Sequence, residues 1–316
     1  MIAAPPAGYR WRSVRPAEDL DAVVALFDAA DLVDVGFVDA WRDLLMGDWT
    51  GTDEDPPLST NLMFGADGAL AGYVSVGGTD PREIQRVFLR IHPAHRDAGV
   101  GAALLAWSEA DARTRLEPGD LCTLAPSIAA TDVRSAQDLE AAGYRPVRTF
   151  WHMEGDLSHG LAAPEPPPGI RLRAFRGQDD GPAFHEVIEA AFAEHYRWVR
   201  STYEEYRAQE MHEPWWDPSL VTFAVAEDGI AGALSATQLD DVGWIGEVGV
   251  RPAYRGRGIG GALLGHAFAQ LAARGLSTVR LTVDAGNETG ATRLYERVGM
   301  RVRREWAICE KLLAAD

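Results

Sequence analysis

The sequence predicts a mixed α/β fold of the α+β kind, written twice: two tandem domains, each a mixed sheet with helices on its faces and a parallel crossover in its second half. Three observations predict it. The two halves open alike, with strand-like "YRWRSV" (9–14) and "IRLRAF" (170–175) each running into a helical pattern. Each half then carries two short strands around an Asp-Gly turn, "NLMFGADGALAGYVSV" (61–76) and "VTFAVAEDGIAGALSAT" (221–237). Each also contains strand, proline turn, glycine loop and helix in that order: "VFLRIHPAHRDAGVGAALLAWSEADA" (87–112) matches "VGVRPAYRGRGIGGALLGHAFAQLAA" (248–273). Pro93 and Pro252 set the period at 159 residues, far longer than a solenoid repeat, so the period means duplicated domains.

The elements follow in order. After "YRWRSV" comes the helical "RPAEDLDAVVALFDAAD", and then "DVGFVDAWRDLLMGDWTGTDEDPP" (34–57), which leads into the first hairpin. The helix after the first glycine loop passes to a further strand and helix, ending in "LEAAGYRPVRTFW" (139–151), a helix closed by glycine and followed by a strand. Its echo in the second half is "YERVGMRVRREWA" (295–307). Between the copies, "GDLSHGLAAPEPPPGIRLR" (155–173) has four prolines within five residues and reads as a stiff, extended linker. The expected organisation is an N-terminal domain over 1–156, a linker over 157–169 and a C-terminal domain over 170–316.

Composition narrows the partners. A net charge of −17 argues against nucleic acid and anionic membranes, which are bound through clustered Lys and Arg. No apolar run approaches the ~20 residues of a membrane span, and "MIAAPPAGYR" has neither the basic start nor the apolar core of a signal peptide. Cys122 and Cys309 fit no metal spacing and read as reduced thiols of a cytoplasmic protein. The paired histidines His92 and His95, and His185 and His195 on a helical stretch, have no ligand set around them, so no metal is expected.

The chemistry gathers in "RGRGIGGALL" (255–264), where Gly256, Gly258, Gly260 and Gly261 precede a helix whose stripe is Ile259, Leu263, Ala267 and Leu271. A helix start offers N–H groups without intrahelical partners and a positive partial charge. Glycines let an anion approach that backbone, so the segment reads as a pyrophosphate site reinforced by Arg251, Arg255 and Arg257. The worn copy "RDAGVGAALL" (96–105) keeps Arg96, Gly99 and Gly101.

"VRPAYRGRGIGGALL" resembles the acetyl-CoA-binding segment of the GNAT acyltransferase superfamily, whose pattern is Arg/Gln-x-x-Gly-x-Gly/Ala between a strand and a helix. Arg255, Gly258 and Gly260 fill it in the second copy, and Arg96, Gly99 and Gly101 in the first. "LTVDAGNETGATRLYERVGMRV" (281–302) resembles the family's next strand and helix, and a tandem pair of this size resembles its two-domain group. The resemblance covers essentially both halves. It implies two acyl-CoA N-acyltransferase domains, with acetyl-CoA as co-substrate and an acetyl group passed to a primary amine of a small molecule. The cofactor would lie on the 255–261 loop, Ile259 included, and on the strand 247–250, where Val248 lies and a free N–H of Val250 or its neighbour meets the thioester carbonyl. Asn287 stands where the family often has a cofactor-contacting Asn, and Tyr295 where it has a tyrosine near the sulfur, the general acid for the departing thiolate. The residues alone also allow Asn287 as a helix cap and Tyr295 as a core aromatic.

The base is Glu247, the one carboxylate in the strand entering the loop, acting directly or through water; a salt bridge to a nearby arginine is the alternative. Several relatives carry their glutamate three positions earlier, where this chain has Trp244, and that departure weakens a direct role for Glu247. Around the acceptor, the stretch "HYRWVRSTYEEYRAQEMHEPWWDPS" (195–219), expected to be helical, offers Tyr203, His212, Trp215 and Trp216 as walls and Glu210 or Glu213 for a cationic amine, or else an aromatic core with solvated acids. In the first copy Thr131 and Leu139 replace Asn287 and Tyr295, so that domain reads as catalytically degenerate. Two rival classes remain: a non-catalytic acyl-CoA-binding or sensing protein, and a dinucleotide-binding oxidoreductase suggested by the G-x-G-x-x-G match at 256–261 with Asp284 as the ribose acid. "RPAYR" between strand and glycines, and the preceding hairpin, argue against the latter. The chain is expected as a monomer or homodimer.

Overall fold

The structure is a computed structural model that describes residues 4–38, 41–50, 58–78, 82–161, 164–211, 216–287 and 289–315. The chain divides into two compact units, one of residues 1–150 with 304–316 and the other of residues 151–303. The units therefore differ from the two halves of the sequence at both ends: residues 151–156 belong with the second unit and residues 304–316 with the first.

In the first unit the order is β1 (Arg10–Ser13), α1 (Pro16–Asp34), α2 (Arg42–Thr50), β2 (Ser59–Phe64), β3 (Leu70–Gly77), β4 (Ile84–Ile91), α3 (Val100–Arg113), β5 (Leu121–Ala129), α4 (Val133–Ala141) and β6 (Arg145–Asp156), whose last residues pass into the second unit. The second unit continues with β7 (Arg171–Ala174), α5 (Gly181–Phe192), α6 (Tyr203–Tyr206), β8 (Thr222–Ala226), β9 (Gly229–Leu239), β10 (Val242–Val250), α7 (Ile259–Ala273), β11 (Thr278–Asp284), α8 (Ala291–Arg297) and the start of β12 (Arg301–Ala314).

Both sheets are built to one plan. In the first unit β1 to β4 form an antiparallel meander, β4 and β5 are parallel, and the closing strand is β12, antiparallel to β5 with Trp306 opposite Ala129 and Leu313 opposite Cys122. In the second unit β7 to β10 form the meander, β10 and β11 are parallel, and β6 lies beyond β11. Each sheet thus borrows its last strand from the other half of the sequence. The strand-helix-strand crossover carried by α3 or α7 is what makes the central pair parallel.

The stripe read from sequence is the one that packs: Ile259, Leu263, Ala267 and Leu271 are all buried against Leu234, Ala236, Ile245, Val279 and Leu281 on one sheet face. On the opposite face α5 buries Phe184, Val187 and Ile188 against Phe223 and Ala233. The expected helical run at 195–219 is broken instead. His195 lies in a turn, α6 is a single turn continued by a π-helical turn over Arg207–Met211, and residues 212–215, which include His212, Glu213 and Trp215, lie outside the described residues. The proline-rich stretch is anchored where it is described: Leu157 is buried and Leu161 packs on the second unit's core. Among the described residues no helix is long and apolar enough to cross a membrane.

Candidate functional site

The site grows from a parting of strands. The β10–β11 ladder ends at Trp244 opposite Arg280, although β10 runs on to Val250 and β11 to Asp284. On its other side β10 stays paired with β9, with a register shift between Ile245 and Val248. That bulge re-aims the residues between them, Glu247 included. Val248 and Val250, part-buried on the core, line the opened segment, whose edge toward β11 has no ladder partner among the described residues.

Beyond Val250 the chain turns through Arg251 and Pro252 into the glycine loop. Gly256 and Gly258 have φ of +76° and +86°, and a side chain at either would meet nothing within 4 Å, so the loop is left-handed and open on its outer side. Gly258 caps α7, and the first backbone bond into the helix is Ala262 N–H to Gly258 O, which leaves the preceding N–H groups for a ligand. Gly260 and Gly261 serve packing: a Cβ there would lie 2.8 Å from Leu294 Cδ2 and 3.1 Å from Pro164 Cγ. Open glycines at a helix start suit the pyrophosphate of a CoA thioester.

The loop arginines are engaged on the protein's own side. The Arg255 guanidinium donates to Ala191 O at 2.9 Å and to Glu194 at 3.1 Å, bracing the loop on the C-terminal end of α5, where a cation also suits the helix dipole. Arg257 donates to Ala253 O at 3.2 Å and lies 5.2 Å from the Tyr254 ring, while Arg251 pairs with Glu186 at 3.2 Å. Asn287 turns its Oδ1 to the Thr289 N–H at 2.8 Å; α8 is capped by Gly290, not by Asn287.

Two ionisable groups stand apart from the rest. Tyr295 is buried within the core beneath α7, and among the described residues its hydroxyl has no hydrogen-bond partner; burial alone holds it protonated well above the usual phenol range. Glu247 is pushed up to about 7, by burial first and by the charge of Glu210 second, against the pull of hydroxyls from Tyr206 and Ser235. No arginine pairs with it among the described residues. Tyr206, which spacing gave no means of finding 41 residues upstream, donates its hydroxyl to Glu247 Oε2 at 2.5 Å. The Tyr203 ring lies tilted at 6.2 Å from that of His185, and Trp216 packs against Phe184 and Phe175 as part of the core.

The first unit keeps the frame and changes the groups. Its β4–β5 ladder also stops early, at Phe88 opposite Ser127, and Gly99 caps α3 with φ of +75°. At the places of Glu247 and Gly249 stand Phe88 and Arg90. The Arg90 guanidinium lies 4.3 Å from the Phe88 ring centre and 4.5 Å from that of Trp306, so rings and a guanidinium fill this face. Arg96 is held bidentately by Asp34 at 2.7 and 2.8 Å. Asp97 replaces Gly256, and the Asp138 carboxylate crowds Gly101, which a side chain at that position would strike.

Fold and site together define an acyltransferase that takes its acyl group from a CoA thioester. A sequence profile of the Acetyltransferase (GNAT) family matches residues 26–131 and 185–300, and this chain belongs to that family of acetyl-CoA-dependent N-acetyltransferases. Among its relatives, the mycothiol acetyltransferase of Salinispora arenicola is 36% identical, covering 78% of this chain and 80% of that protein. That of Kineococcus radiotolerans is 33% identical over 95% of both. A GCN5-related N-acetyltransferase from Sphaerobacter thermophilus superposes with a TM-score of 0.86 at 34% identity, covering 98% of each chain. A tandem GNAT protein from the clavulanic acid biosynthesis pathway, at 18% identity and a TM-score of 0.73 over 98% of this chain and 99% of that one, shares the fold.

Proposed function

We propose that the second unit transfers the acetyl group of acetyl-CoA to a primary amine of a small molecule, with Glu247 as general base and Tyr295 as general acid. The observation that carries this reading is Glu247 itself: a carboxylate on the parted strand, beside the glycine loop, titrating near 7, where a base passes between its two states at working pH. Glu247 takes a proton from the acceptor's ammonium, directly or through water. The free backbone edge at Val248–Val250 faces the thioester carbonyl as it gains charge, and the unpartnered Tyr295 hydroxyl protonates the departing thiolate. The acetyl-CoA pyrophosphate rests on the N–H groups of the 256–261 loop.

In this reading acetyl-CoA is held by one unit per chain. The first copy of the loop has an aspartate within it and another against its helix start, and its arginine is already neutralised by Asp34. The chain is soluble in the cytoplasm, and the first unit supports the fold without turning over. The relatives' name brings a mycothiol precursor forward as one acceptor to try, although Trp244 occupies the place of the glutamate that several relatives carry.

Thiol release from acetyl-CoA, read against a panel of amines that includes a cysteinyl amino sugar, tests the reading. Turnover with at least one amine is expected, together with one CoA bound per chain. Tight CoA binding with no turnover on any amine would favour a sensing protein instead. Tyr295→Phe is expected to lower kcat about a hundredfold with little change in CoA affinity; equal losses in both would remove Tyr295 as the acid.

A further inference from the structure

Glu247 is held from two sides. From the sheet, its N–H donates to Ser235 Oγ of β9 at 3.0 Å. From the helical side, the Tyr206 hydroxyl reaches Oε2 at 2.5 Å, and Tyr206 is itself buried. The turn that delivers Tyr206 is tightly made. Thr202 Oγ1 accepts the Glu205 N–H at 3.3 Å while Glu205 Oε2 accepts the Thr202 N–H at 2.7 Å, a reciprocal cap. Behind it, the His185 ring of α5 lies 5.2 Å from the Tyr206 ring, and His185 Nε2 is 3.2 Å from Ser201 Oγ. The Ser201 N–H donates to Glu189 at 3.1 Å, which ties the chain entering α6 to α5. The groups facing Glu247 are thus Tyr206 from α6, Glu210 from the π-helical turn and Ser235 from β9, with His185 of α5 behind the phenol. Among the described residues no cation reaches it.

We propose that Tyr206 is the positioning residue of the base: its hydroxyl holds Glu247 as a carboxylate and fixes Oε2, leaving the other oxygen to the acceptor's ammonium. The proposal rests on the reading of Glu247 as the base, and it supplies what that reading lacks. A carboxylate in this setting, with Glu210 nearby and no cation to offset it, would be protonated and useless as a base unless donors favoured the charged form. Tyr206 is the donor that meets the carboxylate, and it also restricts the direction in which the carboxylate points.

The test is a titration of Glu247 in the full-length chain by carbon-13 NMR of labelled glutamate, assigned with Glu247→Gln, alongside the pH profile of kcat/KM. In Tyr206→Phe the Glu247 midpoint is expected to rise by about one pH unit, the value of one lost hydrogen bond. The acidic limb of kcat/KM should rise with it, giving roughly tenfold less activity at pH 6 and recovery toward wild type at pH 9. An unmoved midpoint overturns the proposal. A midpoint that moves while the kinetic limb stays supports the hold of Tyr206 and removes Glu247 as the base, so the two readings fail separately. If Tyr206→Phe does not fold, 3-fluorotyrosine at position 206 keeps the bulk and makes a stronger donor. The midpoint is then expected to fall, and no movement again overturns the proposal.

Discussion

Glu247 and the glycines carry the residue-scale consequences. Glu247→Gln is expected to lower turnover by about a hundredfold or more, measured with saturating acetyl-CoA and the best amine of the panel. The same substitution has a signature in stability. The folded chain binds this proton more tightly than the unfolded chain, since the group is raised from 4.5 to about 7. The stability it contributes is therefore complete below about pH 4.5 and is lost as pH rises through about 7. Glu247→Gln should melt a few degrees above wild type at pH 8, the margin vanishing near pH 4.5 in calorimetry. Gly258→Ala asks an L side chain to hold φ of +86° at the start of α7. About 1 kcal/mol of strain is expected, expressed as a severalfold rise in KM for acetyl-CoA with kcat nearly kept. At this scale the glycine loop was legible, because the physics of a helix start depends on local residues only. The direction of Arg255 was not, since its partners Ala191 and Glu194 lie some sixty residues away and leave no mark on its spacing. Tyr206 was hidden for the same reason.

At the scale of elements, periodicity served well where one face is buried and poorly where it is not. The α7 stripe and the two Asp-Gly hairpins were readable because packing against a sheet enforces periods of 3.6 and 2. The aromatic stretch at 195–219 misled: its charged and aromatic residues mimic an amphipathic helix, but the chain there must wrap α5 and deliver Tyr206, and it breaks into turns. Between β9 and β10 the fit is close enough to leave no room for a side chain. A Cβ on Gly232 would stand 2.8 Å from Gly249 O, a backbone atom that cannot step aside. Gly232→Ala should destabilise the chain by about 1–3 kcal/mol in urea unfolding and lower activity with it, because the bulge that aims Glu247 lies in the same ladder.

For the whole molecule, the duplication was evident in sequence, while the exchange of closing strands was not. "YRPVRTFW" and "MRVRREWA" carry the same pattern, so neither announces which sheet it joins. The structure gives residues 304–316 to the first unit, where Trp306 is buried beside Trp41 and Phe88, and Arg304 meets Asp31 at 2.8 Å. Deleting 304–316 is therefore expected to unfold the first unit, seen as proteolysis within residues 1–150, although the deletion lies in the half proposed to carry the chemistry. Fragments 1–156 and 170–316 made separately should be insoluble or molten, and mixing them during refolding should recover acetyl transfer. Independent folding of either fragment would contradict the exchange.

That exchange also bears on how such a gene can change. Once two copies trade a strand, neither can be lost, transferred or recombined alone without leaving the other with an open sheet edge and an exposed core. If the second unit alone is catalytic, as proposed, the first copy is retained by selection on the second and is free to carry Phe88 and Leu139 at the places of Glu247 and Tyr295 so long as it keeps a groove for the final strand. On the proposed reading, the worn loop "RDAGVGAALL" is what drift looks like in a domain that is relieved of chemistry but forbidden to disappear.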